Sequence, residues 1–399
     1  MKIKLKHKIL QDRDDIFCLA IILYYVWQIL NLFIQKGLFG NKILLIANYG
    51  VLAFAIGMIC MCYVQRETAK FMLGELGALV VFLCSYLYGY AQTSVLLYNM
   101  IWLMGVCIPL GYAFGGIRDR KKIYTWLYKL AKPAVTILFV TYVLEFKVWH
   151  VYLGEYDMAL SYAMLLSCTI LCNEVFEHAC LKDIVCLMAG VGVNILYGCR
   201  GANVCFALFL VCKVLWDIKP DTKRYSLIFV GMLLVGIGVI VLLLVVNSGI
   251  DTSRTIRFRG IQKLLSGEFL KSEGRNSLYS YYFELFQERP FAGWGVCGMW
   301  PDGGNYPHNI VIEILISFGS IVGGGILLIL ALGVFAMFRN SRKTERMLLC
   351  IYLANAAGLI ISGTFLQNPT LYICMGIVIG QSYMGKKRYL NTQERYVGD

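Results

Sequence analysis

Residues 43–63 read ILLIANYGVLAFAIGMICMCY, twenty-one consecutive positions without a charged side chain. A helix rises about 1.5 Å per residue, so a run of this length crosses the roughly 30 Å hydrocarbon core of a bilayer. Working outward, the pattern repeats. Apolar runs are read at 16–34, 71–90, 95–115, 133–146, 158–172, 181–199, 201–218, 226–247, 308–338, 347–363 and 369–384. The fifth and sixth along the chain are short. The tenth is long, and Gly319, Gly323, Gly324 and Gly325 are placed to bend or break it. The expected fold is therefore all-α: a polytopic integral membrane protein with about 12 transmembrane helices.

Composition agrees. Hydrophobic residues make up 59% of the 399 positions and charged residues 15%, where a soluble domain carries nearer a quarter charged. A soluble chain of this size could not hide so much apolar surface. The net charge of +13 does not indicate a nucleic-acid partner, because the basic residues sit in short clusters between apolar runs. That pattern sets membrane orientation. Most of the 15 cysteines lie inside apolar runs, where Cys behaves as a small hydrophobe. The first apolar run is followed by Gln35-Lys36 and no small-residue cleavage site, so it is expected to stay as a span.

With the N-terminus placed inside, 26 of the 37 Lys and Arg fall in inside segments and four in the short outside ones. Shifting the parity by one span destroys this bias. Both termini are thus expected in the cytoplasm. The chain divides into an N-terminal bundle at 1–247 (about nine spans), one large extracytoplasmic loop at 248–307, C-terminal helices at 308–384 (about three spans) and a cytoplasmic tail at 385–399.

The loop is the anomaly, since long connections in compact structures are usually functional or disordered. It is too aromatic for disorder. Ser277 is a candidate N-cap, and Leu278, Tyr281, Tyr282, Leu285 and Phe286 share one helical face. Such a tyrosine-rich amphipathic helix suits the membrane–water interface, and Pro290 ends it. Next, Gly293-Trp294-Gly295-Val296-Cys297-Gly298 matches G-x-G-x-x-G. No strand or βαβ unit surrounds it, so the dinucleotide reading fails. A tight turn whose bare backbone approaches another segment or a ligand fits better.

Other candidates are single residues. Gly115-Gly116-Ile117-Arg118-Asp119-Arg120-Lys121-Lys122 is similar to a basic loop of major-facilitator transporters, but it follows the fourth span rather than the second and reads as a cytoplasmic topology clamp. Arg200 lies at the outer junction of two spans, where arginine is either functional or reaches headgroups. Arg275 opens the aromatic helix. His308 begins the tenth span, where a helix N-terminus disfavours imidazolium, so a neutral imidazole could act as a base. Glu313, about a turn further on, is an acid inside the membrane that either supports Asn309 or faces a cavity.

In order, Gly274-Arg275-Asn276-Ser277-Leu278-Tyr279, then Arg289-Pro290-Phe291-Ala292-Gly293-Trp294-Gly295, then His308-Asn309, then Ile314-Leu315-Ile316-Ser317-Phe318-Gly319 resemble the signature of the O-antigen ligase / O-antigen polymerase family. Arg200-Gly201-Ala202 is similar to the Arg-Gly or Arg-Ala step that members carry earlier. The resemblance covers roughly residues 195–320. It departs at Tyr279, where tryptophan is commoner.

That resemblance implies a helical membrane glycosyltransferase of the C type in the bacterial plasma (inner) membrane. The donor it implies is a glycan on undecaprenyl diphosphate, transferred to a sugar hydroxyl of a lipid-linked repeat unit, as in capsule or lipopolysaccharide synthesis. Arg200 and Arg275 would clamp the departing diphosphate through bidentate contacts. His308 would serve as general base or as a donor to the diphosphate. Asn309, Tyr279, Trp294, Gly293, Gly295 and Glu313 would line the substrate site, with the aromatics holding the polyprenyl chain or stacking on sugars. Lipid-linked repeat units and the bilayer are the implied partners, with a chain-length regulator and a flippase as further candidates. The scheme calls for no metal or other cofactor: Asp251, Glu268, Glu273 and Asp302 are scattered. The motif does not separate a polymerase from a ligase, because both use one donor and differ in acceptor. A 12-span transporter or flippase is the alternative of a different class. The lone loop after the ninth span argues against its pseudo-symmetric halves.

Overall fold

The computed structural model describes residues 2–38, 40–66, 68–147, 158–178, 180–196, 199–216, 275–300, 306–340 and 342–380. The span read at 226–247, the loop stretches 248–274 and 301–305, and the tail at 385–399 lie outside the described residues. Among the described residues the chain is helical, without strands. Seven helices are long and apolar enough to cross a membrane: Arg13–Gly37, Lys42–Tyr63, Phe71–Tyr88, Thr93–Gly116, Arg120–Glu145, Met158–His178 and Ile310–Arg339. Among their residues Ile43, Ile46, Leu73 and Leu87 are exposed. Apolar surface on that scale suits lipid and not water.

In chain order the helices are α1 (Lys2–Leu32), α2 (Lys42–Arg66), α3 (Thr68–Tyr88), α4 (Thr93–Trp102), α5 (Ile108–Gly116), α6 (Arg120–Lys147), α7 (Met158–His178), α8 (Leu181–Leu196), α9 (Arg200–Trp216), α10 (Arg275–Glu288), α11 (Ile310–Asn340), α12 (Lys343–Ala356) and α13 (Pro369–Gly380). Each predicted span except 226–247 has a helix at its position. The run at 347–363 is not one straight crossing: α12 stops at Ala356 and a 3₁₀ turn follows at Ala357–Ile360. A π segment, Leu103–Cys107, joins α4 to α5. Pro109 has no N–H to give the preceding turn, and the widened turn, in which the Ile108 N–H reaches back to Leu103 O, absorbs its ring without ending the helix.

The chain forms two compact units. The second comprises residues 28–48 and 125–271, and its described centre is α7, packed by α8 and α9. Gly190 of α8 makes this approach close, since a Cβ there would lie 2.6 Å from Cys168 Sγ. Two of its buried charges have partners: Asp183 meets Lys132 at 2.7 Å and Lys213 meets Glu177 at 3.2 Å, which offsets the cost of taking them out of water.

The first unit comprises residues 1–27, 49–124 and 272–399. Here α5 crosses α13 through two glycine pairs. A Cβ on Gly376 would lie 2.1 Å from Gly111 O, and one on Gly380 2.4 Å from Gly115 O. Glycines four apart on both helices let the backbones touch. At one end of this unit, Asp14 accepts from the N–H groups of Arg118 and Asp119 at 3.0 and 3.2 Å. Arg13 donates to Gly116 O at 3.2 Å and Arg120 to Phe114 O. The Gly115–Lys122 loop is therefore held by side chains that cap the end of α5 and the start of α6.

Candidate active site

The break in α11 organises the opposite end of that unit. Gly319 has φ 71° and ψ 178° inside an otherwise continuous helix. In an unbroken helix the N–H of Ser320 would donate to Ile316 O and that of Ile321 to Ser317 O. Instead, Ser320 donates to Pro290 O at 2.7 Å, and the orphaned carbonyls are met from outside. The N–H of Trp294 donates to Ile316 O at 2.8 Å and that of Gly295 to Ser317 O at 3.0 Å. The segment Pro290–Trp300 is thus a strap laid into the gap, with its backbone groups replacing those of the helix.

Only bare backbone fits there. Gly293 (φ 69°) and Gly295 (φ 80°) are left-handed, and a Cβ on Gly293 would lie within 2.8 Å of three α11 backbone atoms. The sequence reading of a tight turn approaching another segment agrees with this geometry. The substrate-binding role assigned to these two glycines does not, because their N–H groups are already taken, that of Gly293 by Arg289 O at 3.2 Å. The Val296 N–H donates to Ser85 Oγ at 2.8 Å and the Met299 N–H to Tyr90 O at 3.0 Å. With these donors spent, the G-x-G-x-x-G loop is no phosphate cradle.

Trp294 is buried, and its indole N–H donates to Leu285 O at 2.8 Å. It packs with Tyr282, Leu285, Val296, Cys297 and Ile316 in one apolar cluster. It is a packing residue, not the surface on which a lipid or sugar was expected to stack. The helix α10 presents the expected face to this cluster: Tyr282 and Leu285 are buried, and Leu278, Tyr281 and Phe286 pack around them. It begins at Arg275, so Ser277 lies in its first turn and is not its N-cap. Tyr279 is half-buried on the same helix.

His308 stands just before α11 with φ 55°, a conformation uncommon outside glycine. Its ring lies 4.1 Å from that of Tyr306. The hydroxyl of Ser362 and the N–H of Gly363 donate to the Tyr306 oxygen, and burial, reinforced by Glu313, pushes the phenol up from its ordinary range. Asn309 is the N-cap of α11. Its Oδ1 accepts from Val311 and Ile312 at 2.9 and 3.3 Å, and its Nδ2 donates to Ile360 O at 3.0 Å. Those bonds occupy the amide that the sequence offered to substrate.

Glu313 is fully buried. Among the described residues its side chain bonds the 361–368 segment and not Asn309. It accepts from the Thr364 hydroxyl and, at 3.3 Å, from the Phe365 N–H. Further along, Gln367 Nε2 donates to Asn99 Oδ1 at 2.8 Å and the Cys107 thiol donates to Leu366 O at 3.7 Å. The segment 361–368, which includes a 3₁₀ turn at Phe365–Gln367, is therefore held by side chains from α4, the π segment and α11. Ser362, Thr364 and Tyr306 escaped the sequence reading, which took 347–363 as one span. The one available signal was Ser362-Gly363-Thr364 interrupting an apolar run.

Arg275 opens α10 and Arg200 opens α9. The directions of their guanidinium groups lie outside the described residues. What the described residues assemble is an imidazole in a strained backbone, backed by a phenol and fixed at the mouth of a broken membrane helix. Such a group can take or give a proton. Compared with protein-family models and with curated proteins, the chain matches none.

Proposed function

We propose that the protein is a polysaccharide polymerase of the O-antigen ligase / O-antigen polymerase kind, a twelve-span membrane glycosyltransferase with both termini in the cytoplasm. It transfers a growing glycan from undecaprenyl diphosphate to a sugar hydroxyl of a lipid-linked repeat unit at the outer face of the plasma membrane. The observation that carries the reading is His308, held at φ 55° with its ring 4.1 Å from that of Tyr306 and tilted against it, immediately before the cap of α11. Backbone strain concentrates where function needs a fixed side chain. The ordered set of Arg200, Arg275, the strap and His308-Asn309 supports the same reading from sequence.

In this mechanism the guanidinium groups of Arg200 and Arg275 bind the diphosphate and hold it more tightly as the sugar–oxygen bond breaks. His308 takes the proton of the acceptor hydroxyl, and the oxygen then bonds to the sugar carbon that the diphosphate leaves. Tyr306, against whose ring the imidazole lies, orients it. The test is incubation of the purified protein, in lipid nanodiscs, with lipid-linked repeat units. A ladder of glycans is expected from the wild type and its loss from His308→Ala. Failure of folded wild type to build any ladder would overturn the assignment.

A further inference from the structure

Arg289 follows the last residue of α10, and neither the strap nor the proposed chemistry accounts for its charge. Its guanidinium carbon lies 4.5 Å from the ring centre of Tyr90 and 4.5 Å from that of Trp294. The two rings meet edge to face at 4.9 Å, and one nitrogen, Nη2, donates to the Tyr90 hydroxyl. Among the described residues no carboxylate pairs with it, although Glu288 is its neighbour in sequence and Glu284 lies a turn back. Two rings set nearly at right angles hold the guanidinium carbon close to both, and the Tyr90 hydroxyl takes one of its N–H groups. The other donors of the fork are left for a planar or tetrahedral oxyanion. A half-buried cation pre-oriented in this way has lost side-chain freedom before any ligand arrives.

Position adds the second argument. Arg275 and Arg289 lie at opposite ends of α10, a 14-residue helix, so their backbones are about 20 Å apart at 1.5 Å per residue. A polymerase must hold two lipid diphosphates at once. The donor's diphosphate sits at the reacting carbon. The acceptor's reacting hydroxyl lies on a sugar of its repeat unit, so its own diphosphate sits some sugars away from the chemistry. Two cationic stations separated by the length of a short oligosaccharide, both at the membrane surface, match that requirement.

We propose that Arg289, framed by Tyr90 and Trp294, binds the diphosphate of the acceptor lipid. The proposal rests on the polymerase reading for its ligand. Native mass spectrometry of the full-length protein titrated with sugar-free undecaprenyl diphosphate tests it directly. Wild type is expected to hold two copies and Arg289→Ala one. In the elongation assay, Arg289→Ala should raise the acceptor KM by roughly 10- to 100-fold, the weight of one charged hydrogen-bonding contact, with a much smaller change in donor KM. Arg289→Lys, which keeps charge and fold but not the fork, should lie between. Equal stoichiometry in wild type and Arg289→Ala, or a fall in thermal stability alone, overturns the site and leaves only a pin between rings. Displacement of the second copy by phosphatidylglycerol at equal concentration overturns the acceptor assignment and makes this a phospholipid headgroup site. A wild type that binds two copies but builds no ladder removes the polymerase reading while retaining the site. A ladder with unchanged stoichiometry and acceptor KM in Arg289→Ala removes the site alone.

Discussion

The backbone N–H of Trp294 lies 2.8 Å from the carbonyl oxygen of Ile316, filling a hydrogen bond that α11 gives up where Gly319 breaks it. One glycine thus opens a membrane helix, and a loop closes it again. His308 stands just before the same helix, about three turns ahead of its break at Gly319.

The joint depends on the absence of a Cβ. In Gly319→Ala the new carbon would lie 2.0 Å from Phe291 O, at φ 71°. Left-handed strain of about 1–2 kcal/mol and overpacking of about 1–3 kcal/mol should together destabilise the protein severely. Gly324→Ala meets open space and should be neutral or stabilising by up to about 1 kcal/mol. Thermal unfolding of the two variants in detergent, side by side, checks this. Equal midpoints would show that the strap is not a structural joint.

Glu313 holds Thr364 and Phe365. Glu313→Gln keeps an acceptor oxygen and should unfold within about 1 kcal/mol of wild type. Glu313→Leu leaves two buried donors without a partner, at about 1–3 kcal/mol each. If both variants unfold together, the carboxylate contacts carry no weight.

His308→Ala and Arg275→Ala should insert and fold normally while long glycan chains disappear. Loss of the imidazole alone should slow elongation by about 10²–10⁴-fold. Wild-type chain lengths at normal expression, in either variant, would remove that residue from the mechanism.

Arg200→Lys should be strongly impaired if the diphosphate is gripped through a bidentate fork, because lysine is a point charge. A lysine variant with full elongation activity would reduce the role of Arg200 to charge.

The side of the membrane is testable at Gln287, which is exposed on α10. With the exposed thiols Cys84 and Cys180 replaced by alanine, Gln287→Cys should react with an impermeant maleimide in intact cells. Labelling only after lysis would invert the orientation.

Parts of the site were legible and parts were not. The tyrosine-rich face of α10 follows from i, i+3, i+4 spacing, and its burial against Trp294 and Ile316 agrees with it. The glycines of the strap announced close approach, yet nothing in Gly293-Trp294-Gly295 says that the partner is the spent end of α11. Trp294, Asn309 and Glu313 looked like ligands to substrate because polar and aromatic groups near a membrane surface often are. Their own chain occupies them instead.

The sequence by itself determined the helical membrane class, because twenty-residue apolar runs have no stable alternative in water. It also placed the breaking point of the tenth span among its glycines. Only tertiary structure decided which polar groups remain for chemistry. A buried donor or acceptor takes whichever partner folding brings within 3 Å, and partners such as Asn309 and Ile360, or Glu313 and Thr364, are too distant along the chain for any local pattern to announce them.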